Sequence, residues 1–561
     1  MKSRQLTFVL IALSSICFEV IGQMSAEHLS SVDQLFANWD GQSPGCAVGI
    51  IYQDQLIYEK GWGMEDVENK VKIHSESGFH IASMSKQFIA AGIGLLIIEG
   101  KLNLTDPIST YLPELSQVYQ SITIEQLIHQ TSGIKDYSHL LLFKGNKTDD
   151  FIPIETGIEL LAKLHTLNFE PGSSHSYSNS NYLLLSAIVS RVSKMDFRTY
   201  IHQEIFLPLQ MSDTYFINHG MSGDKQIAKD YQQDREKKYR EYRDNLMAAE
   251  DQIVTTIRDL YAWNRNFTTK EVGGADLQNI LLTKGKLSTG KEIPYAAGLY
   301  INTYKGLTTI SHSGDMGGYH SQYLQFPEEE VSIIILANAS DVNAYGMSYQ
   351  VADIVLEDQF HVNDEQMAHK QSPTIQLSNK ELKKYRGAYW NARANRPRII
   401  YLRDDTLRYN RPDIYESPIV PIGDNQFRLL NQNQKQSASI EFVFEGNDLK
   451  RMVFQSVGDE PISMQKYVYP TVKGKQLHPY TGRYYSEELD ITYELKQDKT
   501  NVAIWVKGEK VSTLVVLKAD VFKDGYLGDF RFVRNDEHQI IGLYLDRQRA
   551  RDMYFKKVGN E

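Results

Sequence analysis

An internal repeat in the last third of the chain constrains the fold more than any other sequence feature. The pattern Leu-x-x-Tyr-x-Gly-x-Tyr at residues 382–389 recurs at residues 477–484, an offset of 95 residues. The same offset aligns five further pairs of apolar residues: Leu407 with Val502, Tyr409 with Ile504, Ile419 with Leu514, Ile422 with Leu517 and Phe427 with Phe522. A spacing repeated in this way indicates two copies of one structural unit.

The repeated segments have the composition of β-structure. Short alternating runs rich in Tyr, Val and Ile fill residues 381–470 and 471–561, and such runs are typical of antiparallel strands. Modules of about 90 residues suit small closed barrels. We therefore predict two β-barrel modules, 381–470 and 471–561, preceded by a polar linker at 363–380.

The preceding segment, residues 24–362, alternates helical and strand signals and is predicted to form one mixed α/β domain. Within it, Ser83 and Lys86 place a hydroxyl and an amine three residues apart, after a strand-like run and before an apolar stretch that ends at Gly100. Residues at this spacing lie on one face of a helix. A serine hydroxyl needs a base within hydrogen-bond reach to act as a nucleophile. The spacing therefore predicts a nucleophile with its partner.

Other Ser-x-x-Lys matches occur in the chain, so the surrounding sequence must separate them. They begin at Ser132, Ser222, Ser288 and Ser463. The first three lie beside glycine or in polar segments, and the fourth lies in the β-rich tail, so none opens a comparable apolar helix. We predict that Ser83 alone is a nucleophile.

The N-terminus has the pattern of a secretory signal peptide. Lys2 and Arg4 precede an apolar run at 6–16, and Gly22 provides a small residue for cleavage. The alternative is a membrane anchor, but the run is short for a bilayer span. We predict a signal peptide at 1–22 and a secreted or periplasmic location, with no transmembrane segment after cleavage. Cys46 would then be the remaining cysteine, buried in a strand.

Composition excludes some kinds of partner. The net charge is −10, with acidic and basic residues interspersed, which argues against nucleic acid and anionic membranes as partners. The sequence has no clusters of His and Cys with the spacing of metal ligands. We therefore expect neither a metal nor another cofactor.

Two later motifs accompany Ser83 and Lys86. Tyr-Ser-Asn at 177–179 follows a Pro-Gly turn and precedes an apolar helix, while His-Ser-Gly at 312–314 ends a strand. In this order and spacing, the motifs resemble those of the serine β-lactamase and penicillin-recognising hydrolase family, in its class C-like branch. The flanks are similar too, and the resemblance covers most of residues 40–340.

The resemblance implies a fold and a catalytic set. The fold would be α/β (α+β), with an antiparallel sheet flanked by helices and an all-helical subdomain. Ser83 would be the acylated nucleophile, Lys86 its partner, and Tyr177 the general base or the proton shuttle. A free phenol is ionised in only about one molecule in a thousand at pH 7, so the choice between Lys86 and Tyr177 as base stays open.

The resemblance also implies substrate-binding positions. Asn179, His312 and Gly314 would line the site, and the backbone N–H of Asp315 would complete an oxyanion hole with that of Ser83. Many members carry Lys-Thr-Gly where this chain has His-Ser-Gly. A histidine is mostly neutral above pH 6.5 or so, which weakens the case for substrates recognised through a carboxylate, although a separate arginine could supply the charge.

A catalytic domain of this type followed by two lipocalin-like barrels resembles the D-aminopeptidase arrangement. In that family a tail loop can reach the active site, and the segments 484–488 and 523–525 are candidates here. We expect an exported serine hydrolase that acts on D-amino-acid peptides, related amides or esters, including peptidoglycan-derived peptides. The alternatives are a class C-type β-lactamase, a D-alanyl-D-alanine carboxypeptidase, or a non-hydrolytic cell-wall or ligand-binding protein.

Overall fold

The computed structural model of the protein describes most of the chain. The described residues are 25–39, 41–146, 152–217, 227–234, 236–242, 252–360, 374–393, 396–412, 415–430, 438–456, 460–468, 470 and 474–559. The predicted signal peptide at 1–22 and residues 363–373 of the predicted linker lie outside the described residues.

Helices and strands alternate through the first 360 residues. The α-helices of the described ranges are α1 (Ala26–Phe36), α2 (Lys86–Ile98), α3 (Ile124–Ile128), α4 (Tyr137–Phe143), α5 (Ile154–Ala162), α6 (Asn179–Ser193), α7 (Phe197–Ile201), α8 (Ile257–Thr269), α9 (Gly274–Leu282), α10 (Ala344–Val355) and, beyond this region, α11 (Asn379–Leu382). The strands of this region are β1 (Cys46–Tyr52), β2 (Gln55–Trp62), β3 (Met64–Asp66), β4 (Val71–Lys72), β5 (Phe79–His80), β6 (Tyr215–Phe216), β7 (Tyr231–Gln233), β8 (Tyr239–Glu241), β9 (Ile253–Thr255), β10 (Tyr300–Tyr304), β11 (Leu307–Met316), β12 (Tyr319–Phe326) and β13 (Val331–Ala337).

The main sheet is antiparallel and has the strand order β10-β11-β12-β13-β1-β2. Strand β1 is apolar throughout because both of its faces are covered. Cys46, Val48 and Ile50 belong to a core with α1 and α10, whereas Ala47 and Ile51 belong to the core on the helical side. Alternate side chains point to opposite faces of a strand, so the sheet is the middle layer of the domain.

Helix boundaries follow local signals in the sequence. Thr123 and Gln126 form a capping box at the start of α3, with each side chain accepting from the other residue's backbone N–H. Thr256 caps α8 by accepting from the N–H of Asp259 at 3.1 Å. Helix α2 is followed by Gly100 at φ +69°, a left-handed conformation that glycine adopts readily. Helix α2 therefore lies where the apolar stretch after Ser83 predicts it.

The remainder of the chain forms two closed antiparallel barrels, which confirms the predicted fold class. The first barrel consists of β14 (Gly387–Asn391), β15 (Arg396–Arg403), β16 (Thr406–Arg411), β17 (Tyr415–Gly423), β18 (Gln426–Leu429), β19 (Ala438–Glu445), β20 (Asp448–Ser456) and β21 (Ile462–Tyr467). The second consists of β22 (Gly482–Ser486), β23 (Ile491–Asp498), β24 (Asn501–Val506), β25 (Glu509–Lys518), β26 (Val521–Asp524), β27 (Gly528–Arg534), β28 (Ile540–Arg547) and β29 (Ala550–Val558).

In each copy of the sequence repeat, the two tyrosines form the same hydrogen bond. The buried Tyr389 hydroxyl donates to the Tyr385 carbonyl at 2.7 Å, and the buried Tyr484 hydroxyl donates to the Tyr480 carbonyl at 3.0 Å. A buried hydroxyl without a partner is costly. The repeated Tyr-x-Gly-x-Tyr pattern therefore ties the turn before each barrel to its first strand.

The second barrel packs against the helical side of the first domain. The Tyr493 hydroxyl donates to the carbonyl of Phe143 at 2.7 Å, and Lys144 Nζ donates to the carbonyl of Leu489 at 2.5 Å. Phe143 is the last residue of α4 and Lys144 follows it, while Leu489 lies just before β23 and Tyr493 lies within it. Among the described residues, every helix falls short of the length and apolarity needed to cross a membrane.

Candidate active site

Ser83 and Lys86 lie at the junction between the sheet and the helical side of the domain. Ser83 belongs to a 3-10 turn, Ala82–Ser85, that leads directly into α2, whose first residue is Lys86. Lys86 Nζ lies 3.2 Å from Ser83 Oγ. Lys86 is fully buried and Ser83 is half-buried. An amine at this distance donates to the hydroxyl when it is charged and can accept the hydroxyl proton when it is neutral.

The backbone turns sharply immediately before Ser83. Ala82 has φ +45°, a conformation that is strained for any residue with a side chain and that often occurs at functional sites. Its N–H donates to Nδ1 of His80 at 3.3 Å, and the N–H of Met84 donates to the carbonyl of Ile81 at 3.1 Å. These bonds, made on either side of Ser83, fix the turn that carries it.

Aromatic rings and Lys86 surround Tyr177, which precedes α6. Lys86 Nζ lies 5.4 Å from the centroid of the Tyr177 ring. The Tyr177 ring centroid lies 6.2 Å from that of His312 and 6.1 Å from that of Tyr295. The structure therefore brings Ser83, Lys86, Tyr177 and His312 together from three separate segments.

His312 and Gly314 lie on β11, where this strand continues past its pairing with β10. His312 Nδ1 lies 2.6 Å from the Ser313 carbonyl. Because a carbonyl oxygen only accepts, Nδ1 carries the proton in the neutral ring. A Cβ on Gly314 would lie 2.0 Å from the Ile81 carbonyl oxygen. The absence of a side chain at Gly314 thus lets β11 approach the segment that carries Ser83.

The two remaining predicted positions flank this centre. Asp315 follows Gly314 on β11, and its Oδ1 lies 2.6 Å from Nδ1 of His320 on β12. Asn179 is the first residue of α6, and its backbone N–H donates to Oδ2 of Asp136 at 3.0 Å. The Asp315 side chain is exposed, so its predicted role would depend on its peptide N–H.

Asp136 is a buried acid at this site that the sequence analysis missed. Its carboxylate also accepts from the backbone N–H of Ser138 at 3.0 Å and from the Ser138 hydroxyl at 2.6 Å. Burial alone would raise its pKa, but His139, Arg549 and the N–H of Asn179 hold the pKa of Asp136 below its ordinary value. In the sequence, Asp136 looks like an ordinary N-cap residue of α4. Its place beside the site is visible only in the folded structure.

Arg549 is the second missed residue, and it comes from the second barrel. It lies in the turn between β28 and β29, and its guanidinium carbon is 4.7 Å from the centroid of the Tyr177 ring. Of the tail segments singled out in the sequence, Glu488 accepts from the backbone N–H of His165 at 2.8 Å. The contact with Tyr177, however, is made by the β28–β29 hairpin. Apart from its arginines, nothing in the sequence of this hairpin predicts a place at the site.

A competing Ser-x-x-Lys match, at Ser132 and Lys135, has a different role. The Ser132 hydroxyl is buried and donates to Asn181 Oδ1 at 2.6 Å, and Lys135 Nζ donates to the carbonyl of Arg551 in the second barrel. Neither group is therefore placed as a nucleophile or its base. The surroundings of this match therefore differ from those of Ser83 and Lys86.

Residues 27–355 match the family model described as Beta-lactamase. The chain therefore belongs to this family of β-lactamase-like and penicillin-binding-protein-like serine hydrolases, and the predicted resemblance is confirmed.

Individual relatives cover different parts of the chain. Protein flp of Staphylococcus aureus (strain MW2) is 30% identical over 60% of this chain, and the match spans 65% of that protein's length. The octameric penicillin-binding protein homologue from Pyrococcus abyssi has a TM-score of 0.54 at 21% identity, covering 78% of this chain and 99% of that one. D-amino acid amidase from Ochrobactrum anthropi SV3, solved with D-phenylalanine, has a TM-score of 0.50 at 20% identity, covering 59% and 98%. These structures share the fold.

Proposed function

We propose that the protein is an exported serine hydrolase that acts through an acyl-enzyme on D-amino-acid-containing peptides, related amides or esters. The observation that carries the proposal is the 3.2 Å contact between Lys86 Nζ and Ser83 Oγ. Ligand recognition alone has no need for a serine paired with a buried amine, which disfavours a non-hydrolytic binding protein.

Acylation begins when Ser83 Oγ gives its proton to Lys86 or Tyr177 and attacks the carbonyl carbon of the scissile bond. The backbone N–H groups of Ser83 and Asp315 stabilise the negative charge that forms on the carbonyl oxygen. When the tetrahedral intermediate collapses, the C–N or C–O bond breaks. The proton then passes through Tyr177 to the leaving amine or alcohol, and the acyl group remains on Ser83.

Deacylation uses the same groups in the reverse direction. A water molecule gives a proton to the base and attacks the ester carbon of the acyl-enzyme. The ester bond to Ser83 breaks, Oγ recovers its proton, and the carboxylic acid product leaves. The sum of the two steps is hydrolysis of one amide or ester bond.

Positive charge around Tyr177 supports its part in proton transfer. Ionising a free phenol at pH 7 costs about 4 kcal/mol, and a nearby cation lowers that cost. Lys86 Nζ lies 5.4 Å and the Arg549 guanidinium carbon 4.7 Å from the ring centroid. Both cations therefore lie close enough to attract negative charge that develops on this ring during proton transfer.

The substrate class rests on the domain arrangement and on His312. A catalytic domain followed by two barrels resembles the D-aminopeptidases, and the second barrel's hairpin at Tyr177 would favour small substrates. The imidazole of His312 provides a hydrogen-bonding group where a lysine would provide a fixed cation. The N-terminal pattern of basic residues followed by an apolar run, which is typical of a signal peptide, supports export.

Covalent labelling tests the nucleophile directly. The full chain is treated with a fluorophosphonate, digested, and the modified peptide is identified by mass spectrometry. We expect the adduct on Ser83 and its loss in Ser83→Ala, whereas Ser288→Ala, at an exposed match to the same pattern, keeps the adduct. No adduct in the wild type, or an adduct that survives Ser83→Ala, would contradict the proposal. Paired D- and L-aminoacyl amides and esters, with nitrocefin, then rank the substrates.

A further inference from the structure

We propose that Arg549, on the last hairpin of the second barrel, binds a carboxylate of the substrate and thereby makes this barrel part of the active site. The inference rests on the proposed function, because it names a substrate group for the same site. It concerns a residue outside the family-matched segment, which ends at 355. The argument starts from how the hairpin is held.

Backbone groups hold the tip of the hairpin in place. The Arg549 carbonyl accepts from the N–H of Asp136 and from Asn168 Nδ2, both at 2.9 Å. The N–H of Arg551 donates to Asn168 Oδ1 at 2.9 Å, and the buried Lys135 donates to the Arg551 carbonyl. Since these bonds use main-chain atoms of the hairpin, they remain available when the side chain at position 549 is changed.

The guanidinium of Arg549 keeps its hydrogen-bonding capacity. Its Nη1 forms an ion pair with Asp136 Oδ2 at 3.8 Å, which is longer than a hydrogen bond, and that carboxylate already accepts from Asn179 and Ser138. Within the described residues, the Arg549 guanidinium donates no hydrogen bond to another protein group. A guanidinium has N–H donors in a planar fork that matches a carboxylate, and this side chain is 39% exposed.

The location of this cation suits an anionic substrate group. Lys86 and Arg549 both contact the ring of Tyr177, so the guanidinium lies beside the group proposed to transfer the proton. His312 occupies the strand position where many relatives carry a lysine. Arg549 therefore replaces the missing fixed cation from another domain and favours peptides with a carboxylate near the scissile bond.

Binding of matched ligands separates this role from catalysis. In the full chain carrying Ser83→Ala, calorimetry compares D-alanyl-D-alanine with D-alanyl-D-alaninamide, which lacks the terminal carboxylate. A second pair, D-glutamyl-D-alaninamide and D-glutaminyl-D-alaninamide, places the carboxylate on the acyl side. Hydrogen bonds to charged groups correspond to about 10- to 100-fold in Kd. We expect the acid to bind more tightly than its amide by this factor in one of the two pairs. The pair that shows the difference tells whether the bound carboxylate lies on the leaving-group side or on the acyl side of the scissile bond.

Adding Arg549→Gln should abolish the preference, and Arg549→Lys should retain part of it. Lys556→Gln, which removes an exposed charge on β29, the strand that follows the hairpin tip, should leave it unchanged. Thermal unfolding of Arg549→Gln should remain a single cooperative transition, because the hairpin is held by its backbone, with a lower melting temperature because the buried Asp136 carboxylate loses a nearby cation. A preference that persists in Arg549→Gln, or no preference in either pair, would overturn the inference. Failure to label Ser83 would instead overturn the proposed function, and these binding ratios would stand separately.

Discussion

Replacing Gly314 by alanine tests how the sheet supports the nucleophile. The added Cβ would lie 2.0 Å from the Ile81 carbonyl oxygen and 2.5 Å from Ser321 Oγ, whereas real Cβ contacts stay beyond 3.0 Å. The Ser321 hydroxyl can rotate away, but the Ile81 carbonyl belongs to the backbone and accepts from Ser321 and Met84. Strand β11 and the turn carrying Ser83 must therefore separate by about 1 Å.

That separation sets the expected size of the effect. A misplacement of about 1 Å in a catalytic arrangement costs about 100-fold in rate, and overpacking of this kind costs about 1–3 kcal/mol of stability. The Ser83 hydroxyl itself is unchanged. The variant should thus fold with a lower melting temperature and acylate at least about 100-fold more slowly.

The assay is the rate at which a fluorophosphonate modifies Ser83, followed by mass spectrometry alongside thermal unfolding. Gly525→Ala is the matched control, because a Cβ at Gly525 meets nothing within 4 Å, and it should label at the wild-type rate. If Gly314→Ala labels within about threefold of the wild type at an unchanged melting temperature, the close approach of β11 to the nucleophile turn is not required, and the reasoning fails.

Two further predictions concern the barrels. Tyr493→Phe removes the hydroxyl that donates to the Phe143 carbonyl at 2.7 Å, so urea unfolding should show a loss of about 1–2 kcal/mol, and no loss would show that this bond does not hold the barrel. Burial raises the pKa of Asp529, which pairs with Arg396 at 3.4 Å, from 3.8 to about 6. The folded protein therefore retains a proton that the unfolded chain releases, so stability falls by about 3 kcal/mol as pH rises from about 4 to about 6. Asn at this position should remove that decrease and raise the melting temperature at pH 7, and an unchanged pH dependence would contradict it.

Local patterns in the sequence predict much of this fold. The apolar stretch that ends at Gly100 predicts helix α2, and the apolar run around Cys46 predicts the buried strand β1. Capping side chains of Thr123 and Thr256 lie at the starts of α3 and α8. The repeat predicts the paired tyrosines of the two barrels, because the same turn must satisfy the same buried hydroxyl in each. In these cases the physical cause lies within a few residues of the signal.

Other features of the site have causes that lie far away in the chain. Ala82 adopts φ +45° although it is not a glycine, so the sequence does not predict this conformation. The surrounding hydrogen bonds impose the turn. Lys135 is buried although it follows a serine at nucleophile-like spacing, because it binds the Arg551 carbonyl of the second barrel. Docking of two domains is a tertiary event, and no periodicity of either segment predicts it.

The docked hairpin also suggests how substrate preference is separated from catalytic chemistry in this chain. Ser83, Lys86 and Tyr177 are held by the sheet and by α2 and α6, which tolerate little change because their side chains are packed. The tip of the β28–β29 hairpin is held by its carbonyl and N–H groups, so residue 549 can change in charge without moving the hairpin. A side chain placed in this way can alter which substrates bind beside Tyr177 while the acylating groups stay as they are, because binding and bond breaking then depend on different domains.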